Sequence, residues 1–443
     1  MKFKSYAPFI VLTALAIFSL FFSSIPKTPS PEDLIKIGAI NTGDTAWMLT
    51  AAAFVLLMTP GLAFFYGGMV SSKNIISTML QSVAAMAVIS VLWVVVGFSL
   101  AFGDSMGGFI GNPSTFFMFK GVLDGAPWSL APTIPFAVFA FFQLKFAIIT
   151  PALITGAFAE RIRFTSYLLF ICLFSMLIYS PLAHWAWHPD GFLFKLGVLD
   201  FAGGTVVHMS AGWAALASVL YLKSRKSNGH SPANIPYVVL GTGLLWFGWF
   251  GFNAGSAVGA GNLAATAFAT TNTASATAAL AWIFFDAARG KKPSALGACI
   301  GAVVGLVAIT PGAGFVTVPH SIFIGFIASL ISNVLVEWRS KSSLDDTLDV
   351  FPCHGVGGMS GMILTGIFAT TSINGAVADQ GLFFGETKLF FTHLVAMIGV
   401  SAFAFFGSLL LLKLTDIISP LRVSEQEELE GLDLSQHGES YAR

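Results

Sequence analysis

Two histidines fall where a membrane would make them costly. His208 lies about eight residues into one long apolar stretch, and His354 a few residues into another. At 1.5 Å per helical residue, His208 is roughly 12 Å below a bilayer surface. Ionisable groups at that depth are expensive and mark functional sites by default. Two imidazoles in contact can share one proton, one ring donating and the other accepting. They would make a proton-handling point in an otherwise apolar passage. The bland alternative is a hydrogen bond that ties two helices together. The sharp competitor is haem ligation, which needs a ring-sized gap between the helices. The other histidines read as peripheral: His184, His188, His320 and His393 at one side, His230 and His437 at the other.

Aromatic residues add a second kind of chemistry. Phe142 and Phe146 are four apart, hence on one helical face. Trp249, Phe252, Asn253 and Ser256 stand at i, i+3, i+4 and i+7, again one face. With 44 Phe in the chain, a stripe of rings is by default packing. A hydroxyl and an amide on the same face have no use in plain packing. Rings beside a hydroxyl suit a small cation, which the ring quadrupole attracts. Lys145, directly before Phe146, is the one Lys or Arg in the middle of an apolar stretch. Helical geometry points it about 100° away from Phe146, beside a passage rather than down it.

The elements that hold these residues follow from composition. Apolar residues make up 55% of the 443 and charged residues 10%, against about a quarter charged in soluble chains. Disorder, nucleic-acid binding and a secreted disulfide scaffold are excluded on the same grounds. Cys172, Cys299 and Cys353 each sit in apolar sequence and give no cross-linking framework. The chain reads as an all-α polytopic membrane protein. Eleven stretches are long enough for transmembrane helices: 45–69, 76–101, 132–157, 165–186, 201–222, 235–257, 262–286, 296–311, 320–337, 350–371 and 389–414. Forty-five glycines spread through them predict close helix packing.

Residues 1–30 read apart from this, as a signal peptide or an uncleaved N-terminal helix. Residues 31–414 form the membrane domain and 415–443 a polar tail, whose acidic run (Glu425, Glu427, Glu428, Glu430) is expected to be a solvated surface. Eleven Lys and Arg fall in five alternate loops and three Lys in the other five. That bias places the first group, with the tail, in the cytoplasm and the mature N-terminus outside. The segments around the two histidines also echo one another. Leu199-Asp200-Phe201 precedes His208-Met209-Ser210, and Leu348-Asp349-Val350 precedes His354, with Met359-Ser360 after it. The two helices run oppositely, so five helices followed by five inverted ones are expected, with the site between the halves.

At this point the chain resembles the Amt/Mep/Rh family of ammonium transporters, from about Asp44 to His437. Four strings carry the resemblance in order: Phe158 to Phe164 (FAERIRF), Asp200 to His208 (DFAGGTVVH), Gly248 to Ser256 (GWFGFNAGS), and the tail from Glu427 to Asp433 (EELEGLD) with His437-Gly438-Glu439. The resemblance implies roles. Phe142, Trp187 and Ser256 match an outer site where rings and a hydroxyl hold ammonium. Phe146 and Phe252 match a stacked pair closing the pore, and His208 and His354 the twin histidines. Asp200 matches a supporting acidic residue, and Trp249 and Asn253 stand as further support. The family also implies a homotrimer in the cell membrane, with a PII-type signal protein as a bacterial partner. It implies no enzyme activity, no cofactor and no metal. Lys145 departs from the pattern and is expected to tie its helix to a neighbouring helix or subunit. A membrane sensor that binds ammonium and signals through its tail is the alternative.

Overall fold

A computed structural model describes residues 2–20, 39–226 and 231–441. His230, and the stretch 21–38 that holds the end of the expected leader, lie outside the described residues. A helix, α1 (Lys2–Ser19), occupies the start of the chain. Every apolar stretch read from the sequence then holds a helix, because backbone groups away from water must pair within their own segment. In chain order these are α2 (Thr42–Met69), α3 (Ile75–Phe102), α4 (Phe136–Phe158), α5 (Phe164–Lys195), α6 (Gly204–Leu222), α7 (Ile235–Ala254), α8 (Asn262–Ala288), α9 (Ala295–Ile309), α10 (Val318–Ser340), α11 (351–368) and α12 (Lys388–Ile418). Among the described residues, eight of these are long and apolar enough to cross a membrane; α8, α9 and α11 fall short by length or by composition.

Three features of the bundle position the site. First, α6 and α11 cross backbone to backbone: a methyl added at Gly212 would collide with the main chain of Gly355. Glycine is required there because any side chain would hold the two helices apart. Second, α3, α5, α6, α7 and α11 each contain a π turn, at Trp93–Gly97, Ser175–Tyr179, Gly204–Met209, Phe250–Ala254 and Phe351–Val356. A π turn inserts one residue into the helical register and rotates everything beyond it. Third, a two-stranded ribbon (β1 Ser105–Met106, β2 Ile110–Gly111) and the loops around it cover the end of the bundle that holds Asp200.

The opposite end is closed by the tail, and here the expectation of a solvated acidic run holds for Glu425 and Glu430, which are exposed, and fails for Glu428. Two short helices, α13 (Glu425–Glu430) and α14 (Leu432–His437), fold onto the helix ends. Asp433 accepts hydrogen bonds from the backbone N–H groups of Ile76 and Ser77, at 3.1 and 2.7 Å, so it caps the free donors at the start of α3. Glu428 is buried and pairs with Arg422 at 2.8 Å, while Leu432 is 1% exposed. Beside the tail, Arg225 bridges Glu160 and Asp345 at 2.7 and 2.8 Å. Burial alone would raise the Asp345 carboxyl, but the Arg225 hydrogen bonds hold it below the usual carboxylate range. These side chains mix both signs because a buried charge is tolerable only when paired.

Candidate functional site

A cavity of about 170 Å³ opens at the Asp200 end, lined by Phe142, Gln143, Phe146, Trp187 and Ser256 among others. Phe142 and Phe146 meet edge to face, with centroids 5.0 Å apart. The Trp187 ring stands across Phe146 at 5.8 Å and 80°, held by its own N–H donating to the Asp200 carbonyl at 2.9 Å. The Ser256 hydroxyl donates back along its helix to the Phe252 carbonyl at 2.8 Å. Its proton is thus committed and its oxygen lone pair is what the cavity receives.

The floor of this cavity is the Phe146 ring, backed by a second ring that does not itself line the cavity. Phe146 from α4 and Phe252 from α7 stack at 4.2 Å between centroids and 30° between planes. Below them the file continues: Phe252 to His208 at 6.0 Å, then His208 to His354 at 5.5 Å. The two Nδ1 atoms are 3.4 Å apart, so one ring donates to the other. On its far flank His208 stacks on Trp249 at 5.3 Å and 19°, and the Trp249 indole is fixed by donation to Thr310 at 2.9 Å. The His208 Nε2 atom is buried without a hydrogen-bond partner among the described residues. Iron held between two imidazoles needs two bonds of about 2 Å each and a flat gap for the macrocycle. A 3.4 Å separation, with Trp249 against the outer ring, leaves no such gap.

Each histidine sits inside a π turn, and each turn is capped by a carboxylate. Asp200 accepts from the N–H groups of Gly203, Gly204 and Thr205 and from the Thr205 hydroxyl. Gly203, at φ +113°, takes the left-handed turn that brings those donors round. In α11 the equivalent acceptor is Asp346, which takes the Phe351 N–H at 2.7 Å. The Asp349 named in the sequence echo pairs instead with Arg339 at 2.7 Å. The cap therefore stands eight residues ahead of its histidine in both helices, 200 to 208 and 346 to 354.

Two further residues depart from expectation. Asn253 does not line the cavity: its side-chain N–H donates to Thr271 of α8 at 2.8 Å. The π turn at Phe250–Ala254 disturbs the 3.6-residue spacing on which the single-face reading rested. Lys145 makes no tie to another helix among the described residues; its Nζ lies 5.8 Å from the ring centre of Phe141 on its own helix. Gln143 was missed altogether. It is buried, it lines the cavity, and its Oε1 lacks a partner among the described residues. The one signal for it was an amide lying directly beside Phe142 in an otherwise apolar run. Of the peripheral histidines, His393 and His184 are satisfied structural ones, whereas the His320 Nδ1 is buried without a partner among the described residues. His393 accepts from the Leu199 N–H at 3.0 Å, and His184 bridges Ala101 and Ser105.

The description that matches this chain, over residues 46–442, is the Ammonium Transporter Family. The chain belongs to that family. An ammonium transporter of Bacillus subtilis is 47% identical over 402 residues, covering 90% of this chain and 98% of the relative. Ammonium transporter Amt1 of Archaeoglobus fulgidus is 40% identical, covering 90% and 99%. Among solved structures, Mep2 of Saccharomyces cerevisiae superposes with a TM-score of 0.82 at 36% identity, covering 87% of this chain and 88% of that one. A protein described as a Sensor Amt Protein superposes at 0.81 with 30% identity, covering 89% and 98%. This family member is accordingly a multi-pass membrane protein of a transport family rather than an enzyme.

Proposed function

We propose that this chain moves ammonium across the cell membrane by releasing its proton at the aromatic floor and passing ammonia along the two histidines. The observation that carries this reading is the unbroken file from cavity to stacked rings to imidazole pair. Ammonium and potassium are close in size, so size alone cannot separate them. Ammonium differs in donating hydrogen bonds and in being a weak acid. The ring faces of Phe142, Phe146 and Trp187 attract the charge. The Ser256 oxygen and the unpartnered Gln143 Oε1 are acceptors for its N–H groups, which potassium cannot use. Carrying a bare cation past the Phe146–Phe252 pair costs many kcal/mol in low dielectric, whereas neutral ammonia avoids that cost. Beyond the rings, the open Nε2 of His208 gives ammonia one polar partner in a dry passage.

Several architectural readings accompany this proposal. All eleven helices from α2 to α12 cross the membrane, as two inverted sets of five followed by α12. The matched cap-to-histidine spacing in α6 and α11 supports that repeat. The loop charges place the tail in the cytoplasm and the cavity outside. Residues 1–30 are a signal peptide or a retained helix. The subunits assemble as a homotrimer, and the tail face is where a PII-type protein would bind. A second reading, a sensor signalling through its tail, draws on the ordered docking of Asp433 onto α3 and on the solved relative described as a sensor.

Flux into vesicles, with current and internal pH recorded together, tests the proposal. His208→Ala is expected to end selective uptake, either stopping it or admitting potassium, with assembly unchanged. Unaltered rate and selectivity would overturn the pore role, and ammonium binding without flux in the wild type would favour the sensor.

A further inference from the structure

Lys145 is the one basic side chain in the middle of an apolar helix, and the proposed passage leaves it unused. It is half-buried on the flank of α4, turned away from the cavity that Phe142 and Phe146 line. Among the described residues no carboxylate is within ion-pairing distance of its Nζ, and its one charge-related contact is the Phe141 ring. A charge at this depth without a counter-ion is costly. The described residues do not supply one.

The surroundings indicate where it comes from. Lys145 forms part of a groove of about 490 Å³ between α1 and the α3–α4 pair, walled by Leu12 and Leu15, Val91 and Val94, and Leu144. Two of these walls face outward: Leu12 is 54% exposed and Val91 42%. Met118 and Ser19 line the groove at its cavity end, where Phe18 of α1 meets Phe117 of the covering loop at 6.4 Å. Lys145 is the tenth residue of α4, about 13 Å below the start of that helix at 1.5 Å per residue. Its Nζ lies by the Phe141 ring, one turn nearer the start of that helix.

We infer that this groove binds one anionic phospholipid from the leaflet at the cavity end, its phosphate on Lys145 and an acyl chain along the apolar walls. A free anion has no reason to enter an apolar groove, whereas a phospholipid brings its phosphate tethered to a chain that does. A zwitterionic lipid carries its own cation beside the phosphate and so satisfies Lys145 less well. One lysine near a charged lipid changes binding about fivefold.

Native mass spectrometry of the delipidated full chain, its intact mass showing that α1 is present, tests this. Titration with dioleoyl-phosphatidylglycerol and dioleoyl-phosphatidylcholine is expected to show the first binding about fivefold tighter for the former. Lys145→Met should bring the two lipids to parity and Lys145→Arg should keep the difference. Leu15→Trp, which fills the groove without touching the charge, should weaken phosphatidylglycerol binding by blocking the chain. An intact mass showing α1 removed, equal affinities in the wild type, or a preference that survives both Lys145→Met and Leu15→Trp would overturn the inference.

Discussion

At the scale of single residues, the proposed function divides the cavity's work between rings that attract any cation and acceptors that prefer one with N–H groups. Ser256 can be tested for its part in that division. Its oxygen is an acceptor for the ion before the proton leaves, so Ser256→Ala should raise the half-saturating ammonium concentration about tenfold, the loss of one hydrogen bond to a charged group. Maximal flux should change little, because the inner file is untouched. Uptake measured across ammonium concentrations checks both numbers. The histidines at this site were legible in the sequence because rarity marks them, and Phe142, Phe146, Trp249 and Phe252 because helical spacing sets them on shared faces. An imidazole in an apolar run is conspicuous. Gln143 was not legible, since an amide among phenylalanines has no fixed direction until the helix is placed. Asn253 was read onto the wrong face for a related reason: hydropathy says nothing about helical register, and a π turn shifts it.

At the scale of elements, the site depends on how closely α6 and α11 approach. The Gly212–Gly355 crossing brings two main chains together, and only then do side chains from opposite helices reach 3.4 Å between nitrogens. Gly212→Leu should separate the helices, cost about 1–3 kcal/mol in stability, and abolish selective flux. Gly243→Ala, at an exposed glycine of α7 with open space around it, should be neutral within about 0.5 kcal/mol. Thermal unfolding and vesicle flux on both variants separate the outcomes. Apolar runs predicted these helices to within four residues at every end but that of α5, which runs on to Lys195 past the expected 186, because lipid imposes one backbone solution. The same runs were silent on the π turns and on Asp346 as the partner of Asp200. Both depend on which donors are left unpaired at a helix start, and only the folded backbone shows that.

Across the whole molecule, the tail joins helices far apart in sequence. Val423 donates to Arg161, Leu432 to Asn74, and the His437 ring packs edge-on to Phe164 at 5.0 Å while its Nε2 meets Ser77 at 3.2 Å. Burial lowers the proton affinity of His437, an effect partly offset by Asp433 and Glu439. The docked tail therefore prefers a neutral ring, while a released tail regains the ordinary value of about 6.5. Docking is at full strength above that value and weakens as pH falls below it, because the released form takes the proton first. Limited proteolysis of the tail should accelerate between pH 7.5 and pH 5.5, and His437→Gln should flatten that change. None of this was readable from the acidic run alone: Glu428 is buried because Arg422 and the Lys226 N–H lie opposite it.

The stacked Phe146–Phe252 floor carries a last consequence. Two rings in van der Waals contact leave no standing aperture, so nothing streams through at rest. On the proposed passage each molecule must wait for a ring to swing aside, and the next must wait again. Such a turnstile counts its passengers: throughput levels off however steep the gradient becomes, and warming quickens it through the frequency of the swing.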